Sequence, residues 1–427
     1  MEYFSTRDPD KNKISASKAI ITGLAPDGGL YVPQSFPSFS DFKGRSYEEI
    51  AFEVLRLYLS DFSDEELKDY LHLAYHDRLP VRLHGNYLEL YHGLTSAFKD
   101  VALQLYPHLL TASLRKNNID KTAVVLVATS GDTGSAALAG LADVPDTKAL
   151  IFYPIDGVSN FQKLQMTTQT GKNLSVYGIQ SNFDEAQKQV KQVFTDEDFK
   201  AEFSDKYIFT SANSINLARL LPQIAYYFYA YSQSEINDKI NFAVPTGNFG
   251  NILAGYYAAK MGLPINKLIC ATNTNRVLDD FFKTGTYDTN RQFYKTLSPS
   301  MDVLVSSNLE RLTYDCASYE LFVSDYASDE ETLATIKKVY EEEKYIIDPH
   351  TAVAKCVYDK YYDQTKDETL TLIMATASPY KFPETIRTAL GDVLKQAPTP
   401  LLDLDKKTVL HPGVTSDIRV TIKEVLS

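Results

Sequence analysis

Short apolar runs alternate with amphipathic segments from about residue 120 to residue 375. The apolar runs predict buried strands, at 123–128, 149–153, 174–178, 207–209, 240–244, 267–271 and 370–375. The amphipathic or small-residue segments between them predict helices, at 184–194, 215–231, 252–261, 277–283 and 328–344. Strands that alternate with helices are typical of parallel sheets, so this part of the chain predicts an α/β fold.

The pattern of residues 1–88 differs, because helical periodicity dominates it. Ser46 and Ser63 each stand three residues before a glutamate and precede an apolar pattern of helical spacing. This arrangement predicts two N-capped helices. We therefore expect a mainly helical N-terminal domain over 1–88.

Two strand-to-helix turns resemble each other, namely 130–134 (Ser-Gly-Asp-Thr-Gly) and 246–250 (Thr-Gly-Asn-Phe-Gly). Such turns direct backbone N–H groups at a ligand above a helix N-terminus, where an anion is favoured. Two similar units predict two α/β lobes with a site between them. The turn Gly247–Asn251 contains no lysine, which suits the phosphate of a monoester. The alternative for it is an ordinary connection rich in glycine.

The sequence lacks the motifs of several large classes of phosphate-binding or hydrolytic proteins. It contains no G-x-G, no G-x-x-x-x-G-K-[ST] and no G-x-S-x-G. The dinucleotide fingerprint, the Walker loop and the hydrolase nucleophile elbow are therefore absent.

Lys99 lies in the stretch His92–Asp100, after a glycine-containing turn and before an apolar helix-like run. Burial would lower the pKa of this lysine and allow it to act as a base or to form a Schiff base. The alternative is a lysine at a helix entry whose ammonium reaches water. The nine residues alone favour that alternative.

Other polar residues stand where ligands bind in α/β folds. Ser130 and Thr133 could hold a carboxylate, and Asp132 could contact a phenol or an amine; the alternative for Asp132 is a turn or N-cap residue. Thr376 ends a buried strand, where its hydroxyl could meet a pyridine nitrogen; the alternative is a strand-end threonine.

A further group of polar residues stands at the start of a predicted helix. Asn213, Ser214 and Arg219 together suit a second phosphate. The alternative for them is helix capping beside an exposed arginine.

Composition narrows the classes of function. A chain of 427 residues predicts two or three domains. A net charge of −12 without a dense basic run argues against nucleic acid. No apolar run approaches the roughly 18 residues that span a bilayer, and the N-terminus lacks the features of a signal peptide. Three cysteines without metal or redox spacing favour a reducing compartment, so we expect a cytoplasmic protein.

A histidine pair on a predicted helix is the one arrangement that suggests a metal. His72 and His76 stand four residues apart. A leucine occupies the position at which a zinc protease carries its glutamate, and no third ligand is evident. We therefore interpret them as histidines on a helix surface and expect no metal site.

Taken in order, many stretches resemble the threonine synthases, pyridoxal-phosphate enzymes of the tryptophan-synthase-β fold. His92–Asp100 is similar to their H-G-P-T-x-A-F-K-D stretch, although Leu94 replaces a proline. The similarity covers roughly residues 20–385, and Ser378 replaces a common histidine. The other similar stretches are 28–33, 130–134, 153–154 with 158–159, 213–223, 247–251, 271–273, 297–302, 348–354 and 375–377.

The resemblance implies a fold and a domain division. It implies two open α/β lobes of PLP fold type II with the cofactor between them, plus the helical domain 1–88. The expected large domain comprises 89–119 and 221–427, and the small domain comprises 120–220.

The resemblance also implies a reaction, in which O-phospho-L-homoserine and water give L-threonine and phosphate. Lys99 would hold pyridoxal 5'-phosphate as a Schiff base and move protons, Gly247–Asn251 would bind the cofactor phosphate, and Thr376 and Asp132 would face its ring. The implied turn residues are Gly247, Asn248, Phe249, Gly250 and Asn251. The implied substrate residues are Ser130 and Thr133 for the carboxylate and Asn213, Ser214 and Arg219 for the phosphate.

Two alternatives to this function remain open. One is a related pyridoxal-phosphate lyase such as a threonine dehydratase, which would need no second phosphate site. The other is a threonine-synthase-like protein that binds metabolites without turnover. In each case we expect a small-molecule ligand, no nucleic-acid or membrane partner, and a monomer or homodimer.

Overall fold

A computed structural model describes residues 1–234, 236 and 238–427. Its N-terminal part combines a two-stranded antiparallel ribbon with three helices. Ser46 and Ser63 cap two of these helices through reciprocal hydrogen bonds with the glutamate three residues on, which confirms both predicted N-caps. The elements are β1 (Tyr3–Ser5), α1 (Ala16–Thr22), β2 (Tyr31–Pro33), α2 (Tyr47–Tyr58) and α3 (Asp64–Tyr75).

A hairpin, whose strands belong to the sheet of the large lobe, and two helices follow the N-terminal part. They are β3 (Arg82–His84), β4 (Tyr87–Glu89), α4 (Asp100–Leu103) and α5 (Tyr106–Lys116). The two strands pair antiparallel with each other, so the hairpin crosses the expected domain boundary at residue 88. The Lys99 stretch lies between β4 and α4.

The small lobe consists of parallel strands with helices between them, as the alternating pattern predicts. Its elements are β5 (Thr122–Ala128), α6 (Asp132–Leu141), β6 (Thr147–Pro154), α7 (Asn160–Thr167), β7 (Leu174–Ile179), α8 (Phe183–Thr195), α9 (Glu197–Ala201) and β8 (Tyr207–Ser211). Six of the seven residues of β5 are buried, because helices cover both faces of the sheet.

The large lobe is built around a six-stranded sheet of order β11-β10-β9-β12-β4-β3. Its elements after β4 are α10 (Leu217–Gln233), β9 (Ile240–Pro245), α11 (Gly250–Lys260), β10 (Ile265–Thr272), α12 (Val277–Thr284), α13 (Leu309–Asp315), β11 (Phe322–Tyr326), α14 (Asp329–Glu343), α15 (Pro349–Thr365), β12 (Thr371–Ala375) and α16 (Pro383–Leu390). Strands β9 and β12 are buried throughout, as their apolar runs predict.

The end of the chain lies on the small lobe. β13 (Gly413–Thr415) pairs in parallel with β7, and α17 (Ile418–Leu426) places Ile418, Ile422 and Leu426 in the apolar cluster that contains Phe183 of α8. The small sheet therefore has the order β13-β7-β6-β5-β8. We expected all of 221–427 to stay with the large domain, but residues 413–427 belong structurally to the other lobe.

The whole is thus the predicted pair of α/β lobes. The N-terminal part shares an apolar cluster with the large lobe, in which Ile50 and Val54 of α2 lie together with Tyr227 and Phe228 of α10. β11 lies outside the predicted strands, because it is an edge strand with one fully buried residue and no continuous apolar run. Among the helices in the described ranges, none combines the length and apolar character needed to cross a membrane.

Candidate active site

One cavity lies between the lobes, at the carboxyl ends of β5, β9 and β12. This is the edge at which ligands bind in open α/β sheets. All the candidate site residues from the sequence line it, namely Lys99, Ser130, Asp132, Thr133, Asn213, Ser214, Arg219, Gly247, Asn248, Phe249, Gly250, Asn251 and Thr376. The fold therefore brings together residues from five separate stretches of the chain.

The stretch His92–Asp100, called the Lys99 loop below, is hydrogen-bonded to the end of β12. The Phe98 amide donates to the Thr376 carbonyl at 2.8 Å, and the Ser378 amide donates to the Ser96 carbonyl at 3.0 Å. Ser96 adopts a left-handed conformation, with φ of 58°, which is uncommon for a residue other than glycine. The lysine and the strand-end threonine are thus held in one rigid unit.

The Lys99 ammonium lies inside the site, because only 11% of its side chain is exposed. Burial, helped by the positive charges of Arg219 and Lys381, lowers the pKa of Lys99 to about 8 against the opposing effect of Asp132. Its Nζ lies 3.7 Å from Asp132 Oδ2 and 4.4 Å from the Phe98 ring centroid. A surface lysine that reaches for water does not fit this environment.

Asp132, at the start of α6, accepts several hydrogen bonds while only 2% exposed. Lys381 Nζ lies 2.7 Å from its Oδ1, to which Gln162 Nε2 also donates at 2.9 Å, and Ser300 Oγ donates to its Oδ2 at 3.0 Å. Burial opposes ionisation of Asp132, but the charges of Lys381 and Lys99 outweigh it and hold the pKa of the carboxyl well below its usual range. Asp132 is therefore a carboxylate.

The turn Gly247–Asn251 leaves backbone N–H groups free at the start of α11. Phe249 precedes the helix in a left-handed conformation, with φ of 62°, and no side chain caps the helix. At Gly247 a Cβ would lie 3.0 Å from the Ser300 carbonyl oxygen and 3.2 Å from Met301 Cα, so a larger residue would displace backbone. The free N–H groups and the helix dipole together suit a phosphate.

Asn251 adds a donor to this turn. The hydroxyls of Tyr226 and Tyr227 donate to its Oδ1 at 2.6 and 2.9 Å, which fixes the orientation of the amide. Its Nδ2 is buried without a hydrogen-bond partner. An unpartnered buried donor costs free energy, and a bound phosphate oxygen would satisfy it.

Arg219 forms a second candidate anion site. Its side chain is 2% exposed, burial lowers its pKa to about 10, and no carboxylate of the described residues lies within ion-pair distance of it. Its Nη1 donates to the Ala212 carbonyl at 2.5 Å, whereas Nε has no partner. A buried guanidinium with a free donor is suited to an anion.

The two neighbours of this arginine differ in what their side chains contact. Ser214 Oγ accepts a hydrogen bond from Asn308 Nδ2 at 3.0 Å and keeps its own proton to donate. The Asn213 amide bonds the backbone of Ala128 through both ends, at 3.1 Å from its Oδ1 and 2.6 Å from its Nδ2. Asn213 therefore holds the end of β5 in place beside the cavity.

Sequence reasoning missed several residues of the site. His350 lines the cavity, with Nδ1 2.7 Å from Asp348 Oδ1 and with Nε2 accepting the Ser300 amide at 3.1 Å. His350 lies in the family-like stretch 348–354, which was a usable signal. Lys381 lies outside those stretches and has no local pattern that marks it.

The donor set fits a phosphorylated aldehyde such as pyridoxal phosphate. The site offers a lysine that loses its proton near neutral pH, a helix N-terminus with an unpartnered amide beside it, and a threonine hydroxyl at a strand end. The lysine suits the aldehyde and the turn suits the phosphate.

Three family models match the chain. Threonine synthase N terminus matches residues 2–75, pyridoxal-phosphate dependent enzyme matches residues 87–376, and threonine synthase, C-terminal, matches residues 351–417. The second of these covers most of both lobes and the whole of the cavity lining.

Individual relatives agree with these models. Threonine synthase of Saccharomyces cerevisiae is 37% identical over 95% of this chain and 94% of its own, and that of Schizosaccharomyces pombe is 39% identical over 92% and 90%. The crystal structure of PLP-bound threonine synthase from Brucella melitensis has a TM-score of 0.88 at 34% identity, over 100% of this chain and 98% of its own. The chain belongs to the threonine synthase family of pyridoxal-phosphate-dependent enzymes.

Proposed function

We propose that this protein is a threonine synthase that converts O-phospho-L-homoserine and water into L-threonine and phosphate. The observation that carries the proposal is the pair of anion sites in one cavity, the turn Gly247–Asn251 and the buried Arg219. A cofactor phosphate needs one of them, and a phosphorylated substrate needs the other. Lys99 lines the same cavity.

The first anion site and its neighbours are assigned to the cofactor. The backbone N–H groups of Gly247–Asn251 and the Asn251 amide would hold its phosphate, and Lys99 would bind its aldehyde carbon. Thr376 would face the ring nitrogen with a neutral hydroxyl, and Asp132 would lie near the ring hydroxyl. When bound, pyridoxal phosphate supplies an electron sink for negative charge that develops on the substrate.

The remaining residues are assigned to the substrate. Ser130 and Thr133 lie at the start of α6, where hydroxyl and N–H donors favour a carboxylate. Arg219 Nε and the Ser214 hydroxyl would bind the substrate phosphate, and Asn213 would keep the β5 end in place for them.

These side chains suffice to move the protons and the leaving group. Lys99 Nζ, with its lowered pKa, would remove and return protons at Cα and Cβ of the substrate. Arg219 would stabilise the negative charge on phosphate as it leaves Cγ, and water would then add at Cβ. The narrow space between the lobes would restrict water until that step.

Two variants test the assignment. In R219K, a point charge replaces a guanidinium whose donors have fixed directions, so the KM for O-phospho-L-homoserine should rise while pyridoxal-phosphate affinity stays unchanged. In K99A, phosphate and threonine formation should cease and the yellow colour that borohydride bleaches should be absent or weak. Full turnover of O-phospho-L-homoserine by R219A would count against the second phosphate site on which the proposal rests. Binding of O-phospho-L-homoserine without phosphate release by the unmodified chain would favour a non-catalytic relative.

We further infer a cytoplasmic protein that acts on a small molecule as a monomer or homodimer. The free cysteines Cys270, Cys316 and Cys356 support a reducing compartment. We also propose 1–88, 120–220 and the remainder as functional units, with residues 413–427 joined to the small lobe.

A further inference from the structure

Lys381 is a buried charge that the proposed mechanism does not use. Its side chain is 0% exposed, its Nζ lies 2.7 Å from Asp132 Oδ1, and it donates to the Thr95 carbonyl at 3.0 Å. The Lys381 carbonyl accepts a hydrogen bond from Ser159 Oγ at 3.4 Å. Asp132 and Ser159 belong to the small lobe and Thr95 to the Lys99 loop, so Lys381 links the large lobe to both.

The positive charge at this position is costly, which indicates a role beyond cross-linking. Removing an ammonium from water carries a penalty that an ion pair often fails to recover, and apolar replacements of buried pairs are frequently neutral or stabilising. The fold could join the two lobes with an uncharged group, as it does where the Ser300 hydroxyl donates to the same carboxylate. The retained charge therefore points to an effect of the charge itself.

Lys381 and Lys99 compete for one carboxylate. Lys381 is 2.7 Å from Asp132 Oδ1, whereas Lys99 is 3.7 Å from Oδ2, which is outside hydrogen-bond distance. The other charged groups around this pair are Arg219, which repels Lys99 as Lys381 itself does, Asp100, which lies near Lys381, and His350, which lies near Asp132. Without Lys381, Lys99 would be the one lysine of the described residues left beside Asp132, and the carboxylate could approach it more closely.

We propose that Lys381 is a positioning residue that binds Asp132 Oδ1 and the Thr95 carbonyl together, so that Asp132 makes only the longer 3.7 Å ion pair with Lys99 and the Lys99 amine stays free to react. The proposal concerns the amine of Lys99 and rests on the assignment of Lys99 as the cofactor lysine. An opposite charge within about 4–6 Å raises the pKa of a lysine by about one unit or more. Release of Asp132 should therefore make Lys99 a poorer nucleophile at neutral pH.

The test measures the reactivity of the Lys99 amine in the full chain after removal of the cofactor. Acetylation of Lys99 by acetic anhydride is followed against pH by peptide mass spectrometry, and capture of pyridoxal phosphate is followed in parallel by borohydride trapping at the same residue. In K381M and in K381Q the pH midpoint of acetylation should rise by about one unit, with about tenfold slower modification at pH 7. K381Q keeps an amide donor, so it provides the folded variant if K381M does not fold.

Two further variants separate the charge effect from a general disturbance. K381R keeps the charge and should retain the midpoint of the unmodified chain. The double variant K381M/D132N lacks the competing carboxylate and should return the midpoint to that value or below it. A structural role alone would leave the double variant as impaired as K381M.

A folded K381Q or K381M chain with an unchanged acetylation midpoint would overturn the proposal, and so would a double variant whose midpoint stays raised. Failure of the proposed function gives a different pattern. In that case the acetylation midpoints shift as expected, but the unmodified chain traps no pyridoxal phosphate at Lys99.

Discussion

The unpartnered amide of Asn251 provides the sharpest test of the cofactor phosphate site. N251D replaces the buried Nδ2 donor with a carboxylate oxygen of nearly the same size. The hydroxyls of Tyr226 and Tyr227, which donate to Oδ1 at 2.6 and 2.9 Å, keep an acceptor in the variant. The change therefore removes one donor and adds one negative charge without creating a cavity.

The expected loss of affinity follows from the removed donor. A hydrogen bond to a charged group contributes about 1.5–3 kcal/mol, which corresponds to a rise of about tenfold to 150-fold in the Kd for pyridoxal phosphate. Repulsion between the introduced carboxylate and the phosphate adds to this, so the lower figure is a minimum. The free energy of unfolding of the cofactor-free chain should fall, because the introduced carboxylate is buried, although both tyrosine hydrogen bonds persist. The Kd is therefore measured where the unfolding curve shows N251D to be folded.

The assay is a titration of the cofactor-free chain with pyridoxal phosphate, followed by visible absorbance and accompanied by a denaturant unfolding curve. Y227F is the matched control, since it removes one hydroxyl but leaves Asn251 Oδ1 bonded to Tyr226, and its Kd should stay within about threefold. If folded N251D binds pyridoxal phosphate as tightly as the unmodified chain, Asn251 Nδ2 does not face the phosphate and the assignment of the turn is wrong.

Three other predictions concern the scaffold around the site. R311M leaves three backbone carbonyl oxygens and Asn308 Oδ1 without the buried guanidinium that donates to them. The free energy of unfolding, measured by urea denaturation, should therefore fall by about 3 kcal/mol or more. A fall under about 1 kcal/mol would contradict this expectation. Burial opposes ionisation of Glu89, but hydrogen bonds from a histidine and two tyrosines outweigh it and lower its pKa to about 2. Ionised Glu89 therefore stabilises the fold above its unfolded pKa, and this stabilisation is lost as the pH falls from about 4.5 towards 2. The difference in free energy of unfolding between the unmodified chain and E89Q, about 3 kcal/mol at neutral pH, should narrow over that range. A constant difference would refute the link between the pKa of Glu89 and stability. In G131A the new Cβ would lie 2.4 Å from Gln162 Cδ, at a residue whose φ is 124°. This variant should lose far more thermal stability and turnover than G285A, whose Cβ meets nothing within 4 Å. Equal effects of the two variants in thermal melts and activity assays would exclude the clash as the cause.

The buried strands were predictable from the local pattern of apolar residues, whereas the edge strands were not. The runs 123–128 and 240–244 form the buried strands β5 and β9, because a strand covered on both faces needs a continuous apolar run. β11 and β13 have no such run, since both are edge strands that depend on their neighbours for pairing. The return of the chain end to the small lobe likewise depends on a pairing partner far away in sequence.

The candidate site likewise combines residues that local sequence identifies with contacts that only the fold creates. The candidates Lys99, Asn251 and Thr376 were identifiable because each lies at a turn or at a strand end in a recognisable local context. Tyr226 and Tyr227 lie in the apolar segment 215–231, whose pattern predicts a core helix, and they are buried, but their hydroxyls also orient Asn251. That second contact is made between two helices and leaves no trace in either segment.

The sequence by itself determined the buried strands and the two anion-type turns, because these depend on residues close together along the chain. The candidate lysine emerged from the resemblance of several stretches taken in order, since its own nine residues favour a lysine at a helix entry. The tertiary structure decided the electrostatic state of that lysine. Burial, the approach of Lys381 to Asp132 and the repulsion from Arg219 together set the pKa of Lys99 near 8. Desolvation and charge pairing depend on distances between residues remote in sequence, and only the complete fold sets those distances.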